Sequence, residues 1–143
     1  MENIVIRDYK SEDYLAIIDL WLKTGYGKTC RYENQKVIEK TIKMGGRLIV
    51  ATAPEGVMAG SLWLTFDGHS VHLHHLCVMP KFIEMEIMRF LVGEAIRFCK
   101  GKGYQLKIEA GLTNKAMINH LTEMGFTSIG EYFIFVLQDY TND

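Results

Sequence analysis

The sequence lacks the features that mark several large classes of protein. It has only 2 prolines in 143 residues, and 48% of its residues are hydrophobic, so it is not a disordered or low-complexity chain. Its 3 cysteines, Cys30, Cys77 and Cys99, form no C-x-x-C motif, and an odd number fits a reducing compartment better than a disulfide framework. No apolar run approaches the roughly 18 residues of a membrane helix, and the N-terminal MENIVIRDYK does not resemble a signal peptide. We therefore expect a soluble, cytoplasmic protein with no membrane partner.

The sequence also has no excess of positive or negative charge. The chain carries 16 Lys and Arg residues against 17 Asp and Glu residues, for a formal net charge of −1. Because nucleic-acid-binding proteins usually carry a basic stripe, this balance argues against a nucleic-acid partner. The length suits one domain spanning residues 1–143, and a chain of this size buries roughly two-thirds of its unfolded surface without disulfides or metals.

Hydrophobic periodicity and turn signals predict the element order β-α-α-β-β-β-α-β-α-β-β. The first helix is capped by Ser11 and ended by Gly25, and Asp67-Gly68 is typical of a two-residue hairpin turn. Hairpin strands followed by a β-α-β unit predict an α/β fold with a mixed (α+β) sheet covered by helices. The predicted strands cover 4–8, 47–53, 57–66, 69–79, 104–110, 126–129 and 132–137, and the later helices cover 34–44, 84–100 and 114–124.

Two local motifs carry a resemblance to a known family. The strand ending LCVMP at residues 76–80 is followed at once by a long helix, and a later helix opens at Asn114 and ends at Gly125-Phe126. In this order and spacing, the segment from His69 to Phe126 resembles the GNAT superfamily of acyl-CoA-dependent N-acetyltransferases, and the element order extends the likeness to almost the whole chain. The resemblance implies a GNAT-like fold whose sheet opens after the fourth strand, with acetyl-CoA as co-substrate in the cleft.

The resemblance also assigns residues to the co-substrate. Backbone groups in the opened strand lack strand partners, and an extended, amide-bearing ligand can satisfy them. The residues expected to contact the co-substrate are Leu76, Cys77 and Val78 for the acyl arm, the amides of Ile87, Met88 and Arg89 for phosphate, and Asn114.

The sequence departs from the family pattern at the expected phosphate loop. Glu86 and Met88 stand where the family has small residues, so side chains are expected to occupy the space that phosphates approach. Glu84 and Glu86 also place negative charge there, with a penalty of about 1–3 kcal/mol that would weaken binding roughly tenfold to a hundredfold. A second departure is Leu121, which occupies the position of the tyrosine that protonates the departing thiolate in many members of the family.

Four of the 5 histidines lie within residues 69–75. Strand alternation predicts that His72 and His74 share one face, about 6.5–7 Å apart, with His75 and Cys77 on the opposite face. The His-x-His pair resembles that of arylalkylamine N-acetyltransferases. A neutral imidazole is suited to accept the proton of an amine near neutral pH, so His72 is the expected base and His74 its relay.

Two other interpretations of the histidine strand stay open. The pair could be partly exposed strand histidines without a role. It could also supply two ligands to zinc, although zinc needs at least a third protein ligand and none has evident spacing, so no metal is predicted.

The sequence therefore supports two functional hypotheses. The first is an acetyl-CoA-dependent N-acetyltransferase (an acyltransferase) that acts on a primary amine of a small molecule or a protein. The alternative is a catalytically degenerate GNAT-fold binding or regulatory protein. The apolar final strand, residues 132–137, is compatible with a homodimer or with a place in the core.

Overall fold

The computed structural model describes residues 3–26, 34–82, 84–110, 114–130 and 133–137. These residues belong to two compact units, Met1–Glu109 and Ala110–Asp143. Residues 27–33, Ile83 and Tyr132 lie outside the described residues, and so does Cys30.

The first unit contains one sheet with the strand order β1-β2-β3-β4-β5. Strands β1 to β4 pair with their neighbours in antiparallel fashion, whereas β5 lies parallel to β4 because the intervening helix α3 returns the chain. The mixed sheet is the one predicted. The strands are β1 (Val5–Asp8), β2 (Arg47–Thr52), β3 (Met58–Phe66), β4 (Ser70–Val78) and β5 (Gln105–Ile108), and the helices are α1 (Tyr14–Lys23), α2 (Gln35–Lys43), α3 (Glu84–Lys102) and, in the second unit, α4 (Lys115–Glu123).

The turn between β3 and β4 forms at Asp67-Gly68 as predicted, but three residues, Asp67 to His69, separate the strands where two were expected. The Asp67 carboxylate accepts hydrogen bonds from the backbone N–H groups of His69 (2.8 Å) and Ser70 (2.7 Å). Gly68 has a φ of +89°, which an L-amino acid with a side chain rarely adopts. The turn fixes the register that places Thr65 opposite His72.

Helices α1 and α3 cover opposite faces of the sheet. Trp21 of α1 stacks on Trp63 of β3 with ring centroids 5.4 Å apart, and its Nε1 donates to the buried hydroxyl of Ser61 at 2.9 Å. On the other face, a Cβ built on Gly60 would lie 3.2 Å from Ile87 of α3. Because adjacent strand residues point to opposite faces, the sheet is buried between the two helices.

Strand β4 contains a bulge at His75. Trp63 pairs with His74 while Ser61 pairs with Cys77, so two residues of β4 lie opposite Leu62 of β3. The φ of His75 is +49°, a left-handed value that is uncommon for a residue with a side chain. The extra residue reverses the faces of the sheet to which the following side chains of β4 point.

The predicted placement of His75 and Cys77 opposite the His72–His74 face is therefore wrong. Cys77 pairs with Ser61, which is on the Trp63 side of β3, and the ring of His75 packs 5.5 Å from that of Trp63. Both residues lie on the face that carries His74.

Two predicted strands and one predicted cap also differ from the structure. Residues 126–129 and 133–137 belong to no strand among the described residues. Apolar residues with a high β propensity form a strand only where a neighbouring strand pairs with them. The side chains of 133–137 are exposed. Ser11 does not cap α1, since residues Ser11–Asp13 form a short 3-10 helix before it. No helix in the described parts of the chain is both long and apolar enough to cross a membrane.

Candidate functional site

His72 and His74 lie together on one face of β4, as the alternation predicted. Their rings stack with centroids 4.5 Å apart and planes inclined by 20°. His72 sits between Thr65 of β3 and Lys107 of β5 in the strand register. The side chain of His72 is 34% exposed, so solvent and a small ligand can reach the ring.

Each of the two rings has a polar partner on a neighbouring segment. His72 Nε2 lies 3.1 Å from Glu109 Oε1, an ion-pair contact whenever the ring is protonated. His74 Nε2 is hydrogen-bonded to Thr65 Oγ1 at 2.8 Å. The side chains of Glu109, His72, His74 and Thr65 form a continuous line from the residue after β5, across β4, to β3. Sequence reasoning missed Glu109, because only the β4–β5 register brings it beside a residue 37 positions earlier in the chain.

The site lies where β4 and β5 stop pairing. The parallel ladder runs from Ser70 opposite Gln105 to Leu73 opposite Ile108 and no further. Beyond Leu73, the described residues of β4 pair only with β3. The ladder ends in the region where the family resemblance implied that the sheet opens.

The backbone carbonyl groups of Leu76 and Cys77 have different neighbours. The Cys77 carbonyl oxygen lies toward β3, where a Cβ on Gly60 would come within 2.8 Å of it, so this close approach requires glycine. The Leu76 carbonyl oxygen instead accepts a hydrogen bond from the Tyr26 hydroxyl at 3.4 Å. A side chain therefore contacts one of the backbone groups predicted to hold the acyl arm.

His75 and Cys77 are both buried and pack against core side chains. The buried ring of His75 stacks with Tyr26 at 4.8 Å and packs against Trp21 at 4.6 Å. Cys77 is buried with its Sγ 3.4 Å from Ser61 Oγ, and burial raises the pKa of its thiol. A neutral, buried thiol is a poor nucleophile.

The start of α3 differs in part from the expected phosphate loop. Glu84, Glu86 and Arg89 are exposed, so charges of both signs stand at the helix end. Ile87 and Met88 are buried in the core, with Met88 only 1% exposed. The Met88 side chain therefore packs into the core, while the carboxylates of Glu84 and Glu86 are exposed at the helix start.

Asn114 and Leu121 belong to the second unit. Asn114 caps α4, its side-chain oxygen accepting from the backbone N–H of Met117 at 3.2 Å. Leu121 is buried and supplies no acid.

A groove of about 450 Å³ lies beside the end of β4 in the first unit. Its lining includes Asp19 and Lys23 of α1 and Met79 to Lys81 after β4, and neither His72 nor His74 lines it. Within the described ranges, no three His, Cys, Asp or Glu side chains are grouped so that they could hold a metal ion.

Three solved structures resemble this chain along most of its length. AAC(6')-Iy, in complex with the bisubstrate analogue CoA-S-monomethyl-acetylneamine, is 14% identical with a TM-score of 0.76, covering 96% of this chain and 100% of its own. The ribosomal-protein-S18-alanine N-acetyltransferase from Escherichia coli is 17% identical with a TM-score of 0.73, covering 90% and 80%. A GNAT family acetyltransferase from Elizabethkingia anophelis with acetyl-CoA bound is 21% identical with a TM-score of 0.67, covering 89% and 78%. At these identities the likeness establishes the fold.

No curated protein is significantly similar to the chain in sequence. The model of the acetyltransferase (GNAT) family matches residues 6–126, which is most of the chain. The protein therefore belongs to the GNAT acetyltransferase family.

Proposed function

We propose that this protein transfers an acetyl group from acetyl-CoA to a primary amine, with His72 accepting the proton of the amine and His74 supporting it. The observation that carries the proposal is the stacked pair itself, which stands at the point where β4 and β5 separate. A partly exposed imidazole beside an opening in the sheet combines a base with a place for a ligand.

The open strand fits the acyl arm of the co-substrate. When bound, acetyl-CoA supplies an activated thioester carbonyl. Residues 76–78 present backbone groups beyond the last β4–β5 pair, and these groups would hold the amide-bearing arm as a further strand would. The Leu76 carbonyl already accepts from the Tyr26 hydroxyl, so its second lone pair would serve the ligand.

The proton chemistry falls to the two histidines. An alkylammonium is not a nucleophile, so a base must take its proton before or during attack on the carbonyl. His72 is exposed enough to do this directly or through a water molecule. Because Leu121 is apolar, we assign protonation of the leaving thiolate to water.

The acceptor belongs to one of two classes. AAC(6')-Iy was solved with a bisubstrate analogue containing acetylneamine, whereas the Escherichia coli enzyme is an alanine N-acetyltransferase of a ribosomal protein. We therefore propose a primary amine of either a small molecule or a protein.

A second function is favoured by one observation at the start of α3. Glu84 and Glu86 are exposed in the first turn of that helix, where the positive end of the helix dipole would otherwise attract phosphate. If these carboxylates exclude the co-substrate, the protein is a GNAT-fold binding or regulatory protein without catalysis.

Calorimetric titration separates the two functions. Acetyl-CoA and acetyl-pantetheine are titrated separately into the full-length protein, and a panel of arylalkylamines, polyamines, aminoglycosides and peptide N-termini is then tested for acetylation. The proposal predicts saturable binding of acetyl-CoA and transfer to at least one amine. Absence of binding at millimolar acetyl-CoA would support the non-catalytic alternative.

A further inference from the structure

We infer that Glu109 is a positioning residue for His72, holding the imidazole with its proton on Nε2 so that Nδ1 is the nitrogen that accepts a proton. The inference rests on the proposed function, in which His72 is the base. It adds a residue that no sequence motif assigns.

The geometry of the contact comes from the sheet. Lys107 pairs with His72 in the parallel ladder, and Glu109 follows two residues later, so its side chain returns to the same face. Glu109 Oε1 lies 3.1 Å from His72 Nε2, and the carboxylate stands just past the last ladder pair. The Glu109 carboxylate thus approaches the ring of His72 from the end of the β4–β5 ladder.

The chemistry of the carboxylate determines which nitrogen holds the proton. An ionised carboxylate only accepts hydrogen bonds, so the nitrogen that faces it must be protonated. In neutral His72 the proton therefore resides on Nε2, and Nδ1 keeps the free lone pair. When Nδ1 takes the proton of an amine, the resulting imidazolium is stabilised by the same carboxylate.

Other groups near His72 weaken the influence of the Glu109 carboxylate on the ring without reversing it. His74 stacks on the ring and is hydrogen-bonded to Thr65, so protonating both rings would place two positive charges 4.5 Å apart. Lys107 is the register neighbour of His72 in β5 and is exposed, so solvent screens its charge. Glu109 is 57% exposed, so solvent screens its attraction and the expected effects are moderate.

Two measurements on the full-length protein test the inference. The first is steady-state acetylation of the best amine from the panel by Glu109→Gln, Glu109→Asp and Glu39→Gln. Glu39→Gln is the matched control, because it removes one exposed carboxylate from α2 by the same isosteric change. We expect kcat of Glu109→Gln to fall about tenfold with KM for acetyl-CoA unchanged, Glu109→Asp to recover most of the loss, and the control to match wild type.

The second measurement needs no substrate. The ring-nitrogen chemical shifts of His72, assigned by comparison with His72→Ala, report which nitrogen carries the proton. In wild type we expect a protonated Nε2, and in Glu109→Gln a shift toward the unprotonated value, because the amide can also donate.

The two measurements keep the inference distinct from the proposed function. If no amine is acetylated, the proposed function fails and the nitrogen shifts alone decide the role of Glu109. If wild type is active but Glu109→Gln retains its kcat, or if its His72 shifts equal those of wild type, the inference is overturned while the function stands.

Discussion

The rings of His72 and His74 stack at 4.5 Å, and His72 Nε2 lies 3.1 Å from the carboxylate of Glu109. His74 Nε2 is hydrogen-bonded to the hydroxyl of Thr65. Two histidines that look equivalent in the sequence therefore have different neighbours across the sheet, and we propose different roles for them.

The first prediction concerns His74. We expect His74→Ala to reduce kcat by about tenfold or less, because it removes stacking and the bond to Thr65 without removing the base. Thr65→Val, which is nearly isosteric, should have a still smaller effect. Steady-state kinetics at saturating acetyl-CoA check both variants, and a larger loss in His74→Ala than in His72→Ala would exchange the two roles.

The second prediction concerns the carboxylates at the start of α3. The double variant Glu84→Gln/Glu86→Gln should bind acetyl-CoA about tenfold more tightly, since two negative charges no longer face the phosphates. Acetyl-pantetheine, which lacks the pyrophosphate and adenosine, should bind both proteins equally.

Calorimetry checks this prediction, with Glu12→Gln/Glu39→Gln as a control that removes the same charge elsewhere. A gain in affinity by the control, or an equal gain for acetyl-pantetheine, would show that the phosphates do not approach this helix end.

The third prediction concerns the hydroxyl that ties the bulge of β4 to α1. Ser61 accepts from Trp21 Nε1 and donates to the carbonyl oxygen of His75 at 3.1 Å, entirely within the core. Ser61→Ala removes both hydrogen bonds from the core and should lower the free energy of unfolding by about 1–3 kcal/mol. Urea denaturation measures the loss, and the exposed Ser11→Ala should change it by no more than about 0.5 kcal/mol. Equal losses in the two variants would contradict this role for Ser61.

The fourth prediction concerns acid stability. Asp13 accepts hydrogen bonds from Nη1 and Nη2 of Arg7, at 2.8 and 2.9 Å, and this bonding lowers the pKa of its carboxyl below the ordinary value. Because the pKa is lower in the folded state, the stabilisation is complete above about pH 4 and is lost as pH falls further.

Asp13→Asn should therefore cost about 1–2 kcal/mol at neutral pH and progressively less below pH 4. Unfolding free energies measured across this range check the prediction. A cost that is independent of pH would assign the effect to packing instead of charge.

Much of the fold could be predicted because its signals are local. The turn at Asp67-Gly68 depends on residues two or three positions apart, and it forms at the predicted place with one residue more than expected. The amphipathic pattern of α3 likewise predicted a long helix whose start at Glu84 was correct.

The features that sequence reasoning missed depend on pairing across the sheet. The bulge at His75 carries no glycine to signal it, yet it moves Cys77 to the other face of β4. Glu109 becomes part of the site only through the β4–β5 register, and residues 133–137 were expected to form a strand from their composition alone. Local propensity does not specify any of these three outcomes.

Comparing His72→Ala with His69→Ala shows whether His72 is the base. His69 is the exposed turn histidine at the start of the same segment and has no place in the site. The account predicts that His72→Ala lowers kcat for amine acetylation by about 100-fold or more while KM for acetyl-CoA stays unchanged, and that His69→Ala behaves as wild type. A kcat for His72→Ala within about twofold of wild type would contradict the account, because the base would then lie elsewhere.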